Sequence, residues 1–158
     1  MGNEVNYFDK GVTIQGLTVS LLKRFSDERG AVLKFLQLDS PNFQGFGEAY
    51  FSLINESVVK GWKKHKQINQ NFCVPHGEVM FVVYDDRKNS STRGVFQKII
   101  LNNNTKFQLL SMPPGLWYSF KGLNKEYSIL ANIIDQPHTQ EESENIQIDS
   151  NQIPYNWT

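Results

Sequence analysis

Lys60-Gly61-Trp62-Lys63-Lys64-His65-Lys66-Gln67, followed after a short connection by His76-Gly77-Glu78 and the apolar run Val79-Met80-Phe81-Val82-Val83-Tyr84, decides the reading of this chain. It reads as a polar strand, then a turn, then a buried strand. Alternation along the first strand puts Gly61, Lys63, His65 and Gln67 on one face and Lys60, Trp62, Lys64 and Lys66 on the other. Burying an ammonium group costs several kcal/mol (of order) unless it is paired or neutralised. The face with Lys63 and His65 is therefore either a polar pocket or solvent-exposed. An edge strand carrying lysines to block edge-to-edge pairing is the second possibility.

Outward from this stretch, short runs rich in Val, Ile, Phe and Tyr recur, and none sustains a helical apolar period. Strands are expected at 13–22, 31–38, 48–54, 58–66, 71–74, 79–85, 96–101, 107–111, 116–120 and 128–134. Asp27-Glu28-Arg29-Gly30, the run from Asp86 to Ser91, Asn102-Asn103-Asn104 and Pro113-Pro114-Gly115 supply the turns. The acidic segment 140–145 reads as a short helix or a loop. So many short strands imply an all-β sandwich or barrel, and a length of 158 residues implies one domain over 1–158.

Lys plus Arg number 16 and Asp plus Glu number 16, so no global field draws nucleic acid or an anionic membrane. Any anion must be recognised by a local cluster such as Lys60 to Lys66. The single cysteine, Cys73, excludes an internal disulfide and reads as a buried thiol. Met1-Gly2-Asn3-Glu4-Val5-Asn6 lacks the basic and apolar start of a secretory signal and the Ser or Thr of a myristoylation motif. With no apolar run approaching the roughly 20 residues of a membrane span, a cytoplasmic protein without membrane attachment is expected.

From Lys60 to Asp86 the chain resembles the cupin-fold nucleotide-sugar 3,4-ketoisomerases, whose motif Arg-Gly-Phe-His-Ala-His-Lys is echoed by Lys60, Gly61, Trp62, His65 and Lys66, with Gly77 and Asp85-Asp86 following in step. It is also similar to the dTDP-4-dehydrorhamnose 3,5-epimerases through Lys60-Gly61-Trp62, Gly77-Glu78-Val79, Asp27-Glu28-Arg29-Gly30 and the terminal Ile153-Pro154-Tyr155-Asn156-Trp157. Pro113-Pro114-Gly115-Leu116-Trp117 matches a Pro-rich turn in both. The resemblance implies a cupin-type jelly-roll β-barrel and a homodimer. It implies an epimerase or isomerase acting on a nucleotide-linked 4-keto-6-deoxyhexose, dTDP-linked above others, in deoxysugar biosynthesis. The alternative is a cupin that binds a nucleotide sugar without turning it over.

Such chemistry takes a proton from the carbon beside a ketone and needs a base, a donor to the enolate oxygen and an acid. His65 is the expected base, since an imidazole titrates near pH 6.5 (about). Lys63 stands where both families carry a histidine, as enolate donor or, if desolvated, as base. Tyr50 lies at a functional tyrosine position of the ketoisomerases, and Tyr118 replaces a later histidine. The epimerase's acid tyrosine falls near Ala131, and the segment with its dyad aspartate has no counterpart. Arg29 and Lys60 stand at arginine positions linked to the diphosphate, Trp117 is placed to stack on base or sugar, and Gln67 shares the pocket face. For Arg29 the alternative is a turn residue paired with Asp27 or Glu28, and for Trp117 it is plain core. His76 is expected to face solvent and His138 to sit in the loop leaving the barrel. No cofactor is expected, and no metal, because the cationic Lys63 occupies a likely ligand position.

Overall fold

The computed structural model describes residues 13–158, so the N-terminal residues read above for sorting signals lie outside the described part. Two five-stranded antiparallel sheets face each other. The first is built from β1 (Thr18–Leu21), β9 (Gln108–Met112), β6 (Gln70–His76), β11 (Tyr127–Ile134) and β4 (Glu48–Asn55), in that order. The second runs β12 (Ser143–Asn145), β5 (Val59–His65), β10 (Trp117–Gly122), β7 (Glu78–Tyr84) and β8 (Phe96–Asn102). A separate hairpin joins β2 (Arg24–Asp27) to β3 (Gly30–Leu33). This is the expected all-β jelly roll.

Three apolar layers hold it together. Ile54, Phe72, Val74, Phe81, Val83, Leu110, Tyr118, Phe120 and Leu130 fill the space between the sheets. Trp62, Val82, Phe96 and Trp117 form the outer face of the second sheet, and the chain's last segment lays Ile153, Tyr155 and Trp157 over them. Cys73, Phe107 and Ala131 form the outer face of the first sheet beneath Leu22, Leu33 and Phe35. The internal strand β7 is thus buried from both sides, which is why its run Val79 to Val83 is continuously apolar rather than alternating.

All ten expected strands are present, with shifted bounds. β1 begins only at Thr18, because Gly16 takes a left-handed conformation (φ 84°) and turns the chain just before it. β3 stops at Leu33, short of the expected 38. β2 and β12 were not expected: one is exposed along its whole length and the other has three residues, so neither carries an apolar alternation. The acidic segment 140–145 divides into a 3₁₀ turn, Gln140–Glu142, and β12.

The pairing of β5 with β10 corrects the face assignment made from alternation. Tyr118 pairs with Lys63 and Phe120 with Lys60, so the single residue Ser119 of β10 faces two of β5, a β-bulge at Gly61-Trp62. Residues directly opposite share a face, so Lys60 joins Lys63 on the inner side. Gly61 turns to the outer layer instead, where an added Cβ would lie 2.1 Å from Ser119 Cβ and 2.8 Å from Ser119 Cα. Only glycine fits there.

Candidate active site

At one end the two sheets part around a cavity of about 270 Å³. Tyr50 and Ser52 of β4, Phe72 of β6 and Leu130 of β11 wall it on one side. Lys60 and Lys63 of β5, Tyr118 and Phe120 of β10 and Asn145 of β12 wall it on the other. Apolar rings and two amines therefore share one chamber, a composition suited to a ligand with both sugar-like and anionic parts.

A chain of hydrogen bonds fixes the two tyrosines differently. Tyr118 Oη donates to Gln70 Oε1 at 3.2 Å, so its proton is committed. Asn132 Nδ2 donates both to the same Gln70 oxygen (3.1 Å) and to Tyr50 Oη (2.9 Å). Tyr50 thus receives a hydrogen bond and keeps its own proton to give. Burial pushes both phenols above their usual range, in Tyr50 against the pull of the Asn132 bond. Each stays protonated, as an acid rather than a phenolate.

Two basic groups stand on β5. Lys63 lines the cavity, and its Nζ lies 3.3 Å from Nε2 of His138, on the loop after β11. Burial draws the Lys63 ammonium below its usual range, opposed by the charges of Glu142 and Glu48. His65, two residues on, is 1% exposed and does not line the cavity. Its Nδ1 is bound to Glu142 Oε2, and its ring stacks on Tyr118 with centroids 6.3 Å apart. Its Nε2 is buried without a hydrogen-bond partner. Burial lowers the His65 pKa and outweighs the raising effect of Glu142, so the ring is neutral near pH 7.

Glu142 owes its position to the 3₁₀ turn. Its Oε1 accepts the backbone N–H groups of Gln67 (2.8 Å) and Ile68 (3.1 Å), which clamps the turn onto the end of β5. Burial works to raise the Glu142 pKa but is overcome by the bonds from His65, Gln67 and Ile68, which hold it ionised. An ionised Glu142 accepting from His65 Nδ1 fixes Nε2 as the unprotonated nitrogen.

Of the residues singled out from the sequence, Lys63, Lys60, Tyr50 and Tyr118 come together around the cavity. Four others do not line it. His65 is sealed behind Tyr118. Gln67 lies beyond the end of β5, exposed, and meets Glu142 through its backbone. Trp117 points to the outer layer, where its Nε1 donates to Asp86 Oδ2 at 3.0 Å and Lys64 sits 4.5 Å over its ring, so the core alternative holds for it. Arg29 sits in the turn between β2 and β3 with a side chain 83% exposed, paired to Asp27. Lys60 Nζ, at the cavity wall, donates to the Leu53 carbonyl at 3.1 Å. His76 is exposed, as expected, with its ring against Tyr127. Cys73 is buried.

Sequence reasoning missed Glu142, His138, Gln70 and Asn132. Glu142 supplies the carboxylate partner of a histidine that had seemed to have no counterpart, though from a different place in the chain. The only signal for it was the acidic character of 140–145. His138 was discounted as a loop residue, yet that loop folds back over β5, anchored by the His138 N–H donating to Glu48 Oε2 at 3.0 Å. Among the described residues no group of three or more His, Cys, Asp or Glu side chains is gathered as a metal would require, and no helix is long and apolar enough to cross a membrane.

Two sheets packed as a jelly roll around an amine- and tyrosine-lined chamber make a cupin-type barrel. The model of the dTDP-4-dehydrorhamnose 3,5-epimerase family matches residues 11–158, and the chain belongs to that family. It is 28% identical over 144 residues to the probable low-salt glycan biosynthesis epimerase Agl13 of Haloferax volcanii, a match covering 90% of this chain and 88% of that one. It is 25% identical over 150 residues to the spore coat polysaccharide biosynthesis protein SpsL of Bacillus subtilis, covering 91% and 96%. The crystal structure of a dTDP sugar isomerase from Desulfovibrio desulfuricans superposes with a TM-score of 0.89 at 40% identity, covering 91% of this chain and 92% of that one. Family and fold together make the chain an enzyme of the sugar-nucleotide epimerase type.

Proposed function

We propose that this single-domain chain epimerises or isomerises a nucleotide-linked 4-keto-6-deoxyhexose, dTDP-linked by preference, by enolising the carbon next to the ketone. The observation that carries the reading is the cavity, where a partly desolvated amine and a tyrosine with an uncommitted proton face the same space. Enolisation needs that pair: a group to take a proton and a group to return one. Lys60 retains the positive charge of the arginine at the matching family position and serves the diphosphate as a point charge. The names of the related proteins support a place in glycan or polysaccharide biosynthesis, and the cytoplasm is the compartment we assign.

A homodimer is part of the proposal. β4 is an edge strand of the first sheet and exposes Phe51 and Leu53, while the β2–β3 hairpin exposes Phe25 and Val32. Exposed apolar residues on an unpaired edge call for a covering partner, and a second copy of the chain supplies one. Arg29, remote from the lining of its own cavity, would then serve the cavity of the second copy.

Proton NMR of dTDP-4-keto-6-deoxyglucose in deuterated buffer tests the function. Deuterium entering at C3 or C5, or transfer of the ketone to C3, is the expected result. Failure of exchange with dTDP-, GDP- and CDP-linked keto-sugars alike, with thermal stabilisation by one of them, would assign the chain to nucleotide-sugar binding without turnover.

A further inference from the structure

We propose that Lys63, as the neutral amine, is the base that removes the sugar proton, and that His138 carries this proton to and from solvent. The inference rests on the enolising function proposed above and goes beyond it by choosing between two basic groups. Geometry makes the choice. Lys63 lines the cavity, whereas His65 does not, and the His65 nitrogen left free by Glu142 is buried without a partner. Next to Lys63, His138 Nε2 stands 3.3 Å from Nζ on an exposed loop residue that is not part of the cavity lining. A base in the chamber therefore has a titratable neighbour with one side in water.

The step balances without any further reactant. The Lys63 lone pair takes the proton from the carbon beside the ketone. The C–H pair becomes the C=C bond of the enolate, and the carbonyl pair moves onto oxygen. The resulting ammonium gives a proton to His138 Nε2, and the imidazolium releases one to water. On collapse the enolate reforms the carbonyl and its carbon takes the proton of Tyr50, whose phenolate is reprotonated from water. His65 is then a positioning residue, holding Tyr118 by stacking while its ring stands edge-on to His138 at 6.0 Å.

The charged and titratable groups around Lys63 act on its amine in opposite directions. Lys60 shares its face of β5, Tyr50 and Glu48 approach from β4, Tyr118 from β10, Glu142 from the 3₁₀ turn and His138 from the loop. Glu48 and Glu142 favour the ammonium, but burial outweighs both. Lowering an amine's pKa raises the fraction present as the free base.

The test starts from wild-type deuterium exchange into dTDP-4-keto-6-deoxyglucose across a range of pH. Lys63→Arg keeps the charge but not the basicity, and should reduce exchange about 10²-fold or more while thermal stabilisation by dTDP is retained. Lys63→Cys should be equally slow, and alkylation with 2-bromoethylamine should restore exchange with the acidic limb of the pH profile moved down. Cys73 does not interfere, since burial pushes its thiol up to about 12. His138→Gln should slow exchange in dilute buffer and be rescued by added imidazole. Wild-type exchange with Lys63→Arg at the wild-type rate, or with His65→Asn slower than Lys63→Arg in protein that still binds dTDP, overturns the assignment to Lys63. Lack of rescue of His138→Gln by imidazole overturns the relay. No exchange by the wild-type chain overturns the enolising function itself, and this inference with it.

Discussion

Lys63 and His65 are separated by one residue on β5 and both face the space between the sheets, yet one lines the cavity and the other is sealed in. The difference comes from what folds over each. Over His65 lies the 3₁₀ turn with Glu142, whose carboxylate takes Nδ1 and two backbone amides at once. Beside Lys63 lies a loop that brings the His138 ring to its Nζ, while the residue still lines the chamber. Intrinsic basicity at neutral pH favours imidazole over amine as a base. Access reverses that order here, and desolvation lowers the pKa of the half-buried Lys63 amine.

Kinetics separates the two residues most strongly. Lys63→Met should lower kcat by about 10²- to 10⁴-fold, the usual contribution of a positioned base, with KM for the nucleotide sugar changed only a few-fold. A larger loss in His65→Asn would invert the roles of the two residues. Next in size, Glu142→Gln should destabilise the fold by about 1–3 kcal/mol, because His65 Nδ1 loses its ionised partner inside the protein. Urea denaturation at pH 7 reads this directly. Gly61→Ala should cost a similar amount, about 1–3 kcal/mol from overpacking against Ser119, and should raise KM as the bulge straightens and Lys60 turns away.

A pH titration of stability separates the two basic groups further. His65 is held below its ordinary 6.5 in the fold, so the unfolded chain binds its proton first. Stability from keeping the ring neutral is complete above pH 6.5 and is lost as pH falls toward the folded value. Glu142, also held low, adds a second decline below its ordinary 4.5, which Glu142→Gln should remove. The smallest expected effect is that of Trp117→Phe. It should lose about 1 kcal/mol with its hydrogen bond to Asp86 and leave KM unchanged, since the ring packs in the outer layer.

Much of this was legible in the sequence. Turn residues and β-rich runs gave ten strands and an all-β sandwich or barrel, because burial on one or two faces leaves a periodic mark on composition; the jelly roll itself came from the family resemblance. The chamber was half legible: Lys63, Tyr50, Tyr118 and Lys60 were named, but Lys60 was placed on the wrong face. A bulge adds one residue to a strand without changing its composition, so alternation counted through Gly61 and Trp62 slips by one. Glu142 and His138 were illegible for another reason. They meet β5 across 77 and 75 positions of sequence respectively, from a three-residue turn and an irregular loop. Contacts at that distance depend on tertiary folding alone and leave no local pattern.

The short strand β12 also has a colloidal consequence. It pairs with β5 over Ser143, Glu144 and Asn145, and so closes what would otherwise be an open edge of the second sheet. The same seven residues of chain, 139–145, deliver Glu142 to His65 and cover that edge. Peeling this segment away would dismantle the histidine–carboxylate pair and at the same moment bare a row of backbone donors and acceptors to other molecules. Loss of the site and the onset of strand-to-strand aggregation are therefore one event, and the chain cannot open its chamber by that route without becoming sticky.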